Sequence, residues 1–361
     1  VEVRLIGASR RALVIGTGLI GTSVALALRE RGDQVWLADR DPVSLRLAAE
    51  LGAGEPLGDG PGQPLDIAVI AVPPAAVAAT LLDAQKRDLA RVYTDVASVK
   101  ARPLREAAEL GCDLTRFVAG HPLAGRERSG PAAARGDLFL GRPWALCPTP
   151  ETAPSAVEAV RALAETCGAQ PVVVDADEHD RAVALVSHGP HVTAAAVAAR
   201  LEAAPDVALG LAGQGVRDVT RIAAGDPGLW IGILSSNAEP VADVIDAVAA
   251  DLAATAAALR AGGETLVTDL LRRGGSGRGR LPGKHGDRDD TYAVVSVVIP
   301  DRPGELALLF QAAGVAGVNI EDVTIEHSPG RPVGVVELSV TPAAAQRLAD
   351  ELRARGWSVP G

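Results

Sequence analysis

Two hydrophobic rhythms divide the chain. Up to about residue 174, short runs that are apolar at nearly every position alternate with stretches that are apolar at every third or fourth. The runs at 12–15, 34–38, 66–72, 92–94, 144–147 and 171–174 show little polar alternation, which predicts strands covered on both faces. Helical periodicity at 23–31, 75–82, 102–110 and 151–167 predicts the covering helices, so the first part reads as an open, mostly parallel α/β sheet. From 178 to about 260 the pattern is helical with few strand signals, which sets a domain boundary near Asp175 and predicts an all-α second domain. There Pro190 is expected to open a long helix at 192–202, with His191 on its first turn and His188 just outside.

The rhythm fails between 262 and 290, a stretch rich in glycine, arginine and proline, and a flexible linker is expected over 263–290. Alternation returns with a strand at 292–299, a turn at 300–304 and a helix at 305–313. Strands at 318–325 and 333–340 and a helix at 342–355 follow, with room for a closing strand near Trp357. Strand, helix, two strands, helix and strand is the split βαβ (βαββαβ) pattern. The expected domains are therefore 1–176, 177–262 and 291–361.

Composition narrows the functional classes. The chain has 361 residues, 48% of them apolar and 22% charged, with a net charge of −10, which suits a globular protein and disfavours nucleic acid as a partner. Three well-separated cysteines, Cys112, Cys147 and Cys167, have neither metal-ligand spacing nor disulfide-framework density, so no metal is expected. No apolar run approaches the length of a membrane span and the first residues lack signal-peptide grammar, so a cytoplasmic location is expected. Alanine-rich faces at 241–259 suit close helix packing between two subunits, and a homodimer is expected.

The first strand runs straight into Gly16, Thr17, Gly18, Leu19, Ile20 and Gly21. In this fingerprint the first glycine permits a tight turn, the second lets a pyrophosphate approach the backbone, and the third lets helix and strand pack closely. The helix N-terminus behind it offers unpaired amides and a partial positive charge. Asp39, at the end of the second strand, lies where an acid accepts bonds from an adenosine ribose and repels a 2′-phosphate, which favours NAD over NADP; Arg40 beside it acts the other way. These residues make the first domain Rossmann-type. Ligands in such sheets lie beyond the carboxyl ends of the strands, so Val72, Pro73, Ser98 and His121 should converge on the glycine turn. His121, in a glycine- and proline-punctuated loop after the apolar run 117–119, is placed to take a proton from something bound against the cofactor. Arg217 and Arg221, one helical turn apart, form a candidate carboxylate clamp that Asp218 orients. Trp230 reads as core filling or a pocket wall.

These motifs together resemble the prephenate and arogenate dehydrogenases of tyrosine biosynthesis that carry a C-terminal ACT domain. The resemblance spans almost the whole chain. It rests on the glycine fingerprint, on Asp95, Ser98 and Lys100, on His121 to Gly125 with Glu127, Ser129 and Gly130, on Ser187, His188, Pro190 and His191, and on Arg217, Asp218, Thr220 and Arg221. It implies that His121 bonds the substrate's ring hydroxyl, that Ser98 orients that pair, and that Arg221 binds the side-chain carboxylate. His191 and Trp230 then line the substrate pocket with His188 and Arg217 nearby, and Glu127 and Asp218 gate it. The chain departs from the family at Leu123, a methionine in most relatives, and at Arg126, often a smaller residue, which shares out carboxylate recognition differently. In the last segment, Asp301, Arg302, Pro303, Gly304, Asn319 and Ile320 are implied to border an amino-acid effector pocket, with tyrosine as a negative effector.

The activity so implied is NAD-dependent oxidative decarboxylation of prephenate to 4-hydroxyphenylpyruvate, with activity falling as pH drops through the pKa of a neutral His121. Arogenate, with an amino group in place of the keto group, is the alternative substrate. A catalytically silent sensor of NAD and an amino acid is the alternative of a different class.

Overall fold

The computed structural model describes residues 9–58, 62–125, 129–281, 292–327 and 332–360. They divide into two compact units, residues 1–248 and 249–361.

The first unit is built on strands β1 (Arg11–Ile15), β2 (Gln34–Ala38), β3 (Glu55–Pro56), β4 (Leu65–Ile70), β5 (Ala90–Asp95), β6 (Phe117–Pro122), β7 (Pro143–Cys147) and β8 (Gln170–Val173). They form one sheet in the order β3-β2-β1-β4-β5-β6-β7-β8. All neighbours pair in parallel except β6 and β7, which are antiparallel. The order reverses direction at β1, whose carboxyl end therefore lies at a topological switch point. Consecutive side chains of β1 face opposite ways, and both faces are dry. Ala12 and Val14 join one core with Val24 and Leu28 of helix α1 (Leu19–Glu30), and Leu13 joins the other with Val77 and Leu81. Burial of each such Val or Leu stabilises by about 1.5–3 kcal/mol, which is why these strands read as unbroken apolar runs.

Helix α2 (Pro42–Glu50) is capped by Asp41, whose carboxylate accepts from the amides of Val43 and Ser44. It follows β2 and has no counterpart in the predicted helices, because its nine residues bury only Ala48. Helices α3 (Val77–Lys86), α4 (Ala101–Glu109) and α5 (Pro154–Thr166) fall close to their expected positions.

The helical part begins at α6 (Ala176–Val183), capped by Asp175 at the expected boundary. No break separates it from α7 (Gly189–Ala198), because residues Ala184–His188 form a π-turn that joins the two. The amide of Gly189 reaches back five residues to the carbonyl of Ala184. Pro190 therefore does not open a new helix. It has no N–H to donate, and the wide turn in front of it takes up the mismatch. Continuity also makes Ala176–Leu201 long and apolar enough, by length and composition, to match a membrane span, which corrects the expectation that no stretch reaches that length. About 33% of this span is buried, and its buried polar side chains, described below, bond to the sheet domain. Shorter helices α8 (Asp206–Gly210), α9 (Gln214–Thr220) and α10 (Pro227–Ser236) follow, and α11 (Ala238–Ala261) is the longest.

In the second unit, helix α12 (Glu264–Arg278) occupies most of the stretch expected to be a flexible linker. Gly262, at φ +71°, ends α11, and the amide of Gly263 bonds back to Ala258 at 2.8 Å. Arg273 of α12 then bonds Asp251 of α11 at 2.8 and 3.2 Å and Asp269 of its own helix at 2.9 Å. Glycine at 274, 275 and 277 weakens a helix, so composition pointed to a linker, but composition does not register side-chain pairing to a neighbouring helix. The rest of the unit comprises β9 (Ala293–Pro300), α13 (Glu305–Val315), β10 (Asp322–His327), β11 (Val333–Val340) and α14 (Pro342–Ala354). The strands form an antiparallel sheet in the order β10-β11-β9, and Ser358 bridges the free edge of β9 at Val298, which gives the expected βαββαβ arrangement. One face is closed by Leu309, Ala312, Leu348 and Leu352 over Val297, Val336 and Leu338.

Candidate active site

Two groups of residues occupy the carboxyl edge of the large sheet. At the end of β1, Gly16 has φ +102°, a conformation open to glycine at little cost. A side chain on Gly21 would run into the Gly16 carbonyl and Ala71, so helix α1 and the sheet touch through this glycine. Gly18 is exposed, with open space where its side chain would be. A pyrophosphate needs such a cradle at a helix N-terminus. The Asp39 carboxylate accepts from the backbone amide of Thr17 at 2.5 Å and from its hydroxyl at 2.8 Å, so the acid and the turn form one piece. Arg40 is exposed beside it, Leu19, Ile20 and Val72 are half-buried, and Pro73 is exposed at the exit of β4.

The second group surrounds His121. This residue is on a strand and not in a loop, because β7 pairs with β6 beyond the edge of β5 and sets His121 opposite Ala145. The strand end is clamped from below. Asp95 accepts from the amide of Gly120 at 3.0 Å, and the fully buried Lys100 ammonium donates to Asp95 and to the Gly120 carbonyl. A side chain on Gly120 would press on the backbone of Asp95, so only glycine fits this clamp.

The Nδ1 atom of His121 lies 2.8 Å from Nε2 of His179, and Nδ1 of His179 lies 2.8 Å from Oδ1 of Asp180. That carboxylate also accepts from the amides of Lys100 at 2.8 Å and Ala101 at 2.9 Å, so it caps α4 from another helix. Asn237 donates to the Asp180 carbonyl at 2.8 Å and lies 3.1 Å from Nδ1 of His188. His188 sits in the π-turn, edge-on to Trp230, and His191 one turn later stacks on Trp230 at 3.5 Å between ring centroids. Gly225 makes room for that stack, since a side chain there would meet both rings. Four of the chain's six histidines thus share one site. Burial and then the neighbouring His179, Lys100 and His188 hold the His121 pKa well below 6.5. Burial lowers His188 to about 4 and moves His191 in the same direction. These imidazoles are neutral at pH 7 and available as proton acceptors. Among the described residues no cluster of three ligating groups suits a metal.

Several sequence expectations change. Ser98 is half-buried on the loop after β5, and the bond that orients His121 comes from His179, with none from Ser98. Asp218 accepts from Gln214 at 2.8 Å and not from an arginine. Arg217 and Arg221 are exposed, Arg217 on α9 and Arg221 at the start of a 3-10 turn, Arg221–Ala224, that packs on α7. Trp230 is half-buried and stacked on His191, and it does not fill the core. Arg126 and Glu127 lie outside the described residues. His179, Asp180 and Asn237 were not singled out from the sequence. The signal was present, since the buried stripe of α6 (His179, Asp180 and Val183) carries two polar residues where apolar ones are due.

Residues 24–173 match the family model of the prephenate dehydrogenase nucleotide-binding domain, and residues 175–272 that of the prephenate dehydrogenase dimerization domain. A Streptomyces niveus protein named "Probable prephenate dehydrogenase NovF" is 43% identical over 359 residues, 96% of this chain and 99% of that one. The chain belongs to the prephenate dehydrogenase family. It is 26% identical over 341 residues to the prephenate dehydrogenase of Bacillus subtilis (strain 168), covering 91% of each. Among solved structures it is similar to the A. aeolicus prephenate dehydrogenase in complex with hydroxyphenyl propionate and NAD+. The TM-score is 0.66 at 28% identity, over 75% of this chain and 98% of that one. Synechocystis arogenate dehydrogenase gives a TM-score of 0.62 at 27% identity, over 74% and 98%. The match to the dimerization-domain model extends to residue 272, into α12.

Proposed function

We propose that the chain is an NAD-dependent prephenate dehydrogenase, which oxidises and decarboxylates prephenate to 4-hydroxyphenylpyruvate. The observation that carries this is the neutral imidazole of His121 at the carboxyl edge of a dinucleotide-binding sheet. The glycine turn fits the cofactor through the positive φ of Gly16, the open side of Gly18 and the carboxylate of Asp39 fixed to the turn. Gly16 to Gly21 would hold its pyrophosphate and Asp39 its ribose, with Arg40, Val72, Pro73 and Ser98 alongside. Bound NAD supplies the hydride acceptor. His121 accepts the ring hydroxyl proton as the carbinol carbon is oxidised. When the ring carboxylate leaves as carbon dioxide, its bonding pair enters the ring, and His121 returns the proton to the phenolate oxygen. Arg221, with Arg217, holds the side-chain carboxylate, and His188, His191 and Trp230 wall the ring.

Arogenate is the second reading, supported by the likeness to the Synechocystis arogenate dehydrogenase. The experiment is to measure kcat/KM on prephenate and arogenate, each with NAD and NADP. Turnover with NAD is expected, fastest on prephenate. NAD binding without turnover of either substrate would leave the sensor reading standing.

The helical domain is proposed to pair two copies of the chain. The βαββαβ unit is proposed as an ACT-type effector module with tyrosine as ligand. In support, Pro300 and Glu305, which flank the turn Asp301 to Gly304, line a cavity of about 640 Å³ with Leu308, Arg355 and Trp357, although residues 301–304 themselves do not line it. Asn319 and Ile320 are not among its lining residues.

A further inference from the structure

The bonds around His121 fix more than its position. A carboxylate has no proton to give, so the contact between Asp180 and His179 requires the proton on Nδ1 of His179. The amides of Lys100 and Ala101, which also donate to this carboxylate, keep it in acceptor form. When that is the one proton His179 carries, its Nε2 is a lone pair, and the 2.8 Å contact then takes the proton of His121 from Nδ1. The lone pair of His121 is left on Nε2, the nitrogen that faces away from the relay.

We infer that His179 and Asp180 are positioning residues that select the reactive tautomer of His121, with the Asp180 carboxylate fixing His179 and His179 in turn fixing His121. A free imidazole exchanges its two tautomers readily, and in the wrong one Nε2 carries a proton and accepts nothing. The relay also provides for the proton that His121 gains, since the imidazolium keeps its Nδ1–H bond to an acceptor backed by a carboxylate. The same logic operates where an aspartate orients the histidine of a serine protease. Here a second imidazole stands between base and acid, because β6 and α6 approach with room for one more ring: the two ring centroids are 5.1 Å apart and the planes 77° from parallel. Lys100 does not break the relay, since its ammonium is held by Asp95 and the Gly120 carbonyl.

This inference rests on the proposed role of His121, but its test does not depend on the substrate. In the full-length chain with 15N-labelled histidine, long-range 1H–15N spectra report which ring nitrogen of His121 carries the proton, without any ligand. The Nδ1–H form is expected in the unaltered protein, and the Nε2–H form there would overturn the inference before any variant is made. His179→Leu should release His121 into mixed tautomers and lower kcat about 10²–10⁴-fold with KM little changed. His179→Gln, whose side-chain oxygen can accept from Nδ1–H, should restore the tautomer and bring kcat back to within about tenfold. A His179→Leu protein that kept its turnover, or kept the Nδ1–H form while losing activity, would reduce His179 to a packing residue. Failure of all turnover, on prephenate and arogenate alike, with the Nδ1–H signature intact would count against the reaction assigned above and leave the relay standing.

Discussion

The glycine turn and the histidine cluster share one edge of one sheet and are built by opposite means. The turn is made of backbone, and what matters there is missing atoms: Gly16 bends where a side chain is strained, Gly21 lets a helix touch, and Gly18 leaves space. The cluster is made of side chains, most of them buried and joined by hydrogen bonds or ring contacts across separate elements. A site of the first kind is harmed by adding atoms. A site of the second kind is harmed by removing atoms or by adding protons.

The largest effect expected is at the centre of the cluster. His121→Asn should lose about 10²–10⁴-fold in kcat with substrate binding nearly kept, read by steady-state kinetics. A variant that turned over at close to the normal rate would place the proton acceptor elsewhere. Next, Arg221→Gln should raise KM roughly 10–100-fold at unchanged kcat, as loss of a charge-assisted bond to substrate does. Gly16→Ala tests the turn in the other direction, by insertion. The strained backbone should cost on the order of 1–3 kcal/mol in thermal unfolding and weaken NAD binding by titration, while the tautomer of His121 stays unchanged.

A smaller effect separates the two regions by pH. His188 has a pKa of about 4 in the folded protein and near 6.5 when unfolded. Between those values the unfolded chain binds the extra proton, so stability falls as pH drops from 6.5 towards 4 and is fully present above 6.5. Urea unfolding at pH 7 and pH 5 should show the loss, at most about 1.4 kcal/mol per unit for one such group. His121 shifts in the same direction, so the acid limb of activity is expected below the ordinary imidazole value. A flat profile down to pH 5 is therefore compatible with His121 as a neutral base. The smallest effect is expected at the rim, where Trp230→Leu removes the stack on His191, worth about 0.5–1.5 kcal/mol.

The same contrast accounts for what was legible in the sequence. The turn is written in six consecutive residues after an apolar run, and the central strands β1 and β4 were readable because burial on both faces leaves few polar positions, whereas the exposed β3 and the strand carrying His121 were not. The π-turn was not, since Pro190 looks like a helix start unless the five residues before it are known to widen. His179 and Asp180 were hidden in a run of Asp177, Glu178, His179 and Asp180 that reads as a solvated first turn. Their partner His121 lies 58 residues away. Helix α12 was hidden by its glycines, and its pairing to Asp251 crosses 22 positions. Local grammar reports local geometry, and a relay across separate elements has none.

The π-turn at Ala184–His188 amounts to one surplus residue threaded into an otherwise regular coil. Each residue of an α-helix advances the azimuth by roughly 100°, so everything downstream is rotated by that amount relative to an uninterrupted coil. Excising a single position there would leave His179 and Asp180 against the sheet while swinging His188 and His191 round to another side. The two halves of the histidine cluster would then face different sides of the coil.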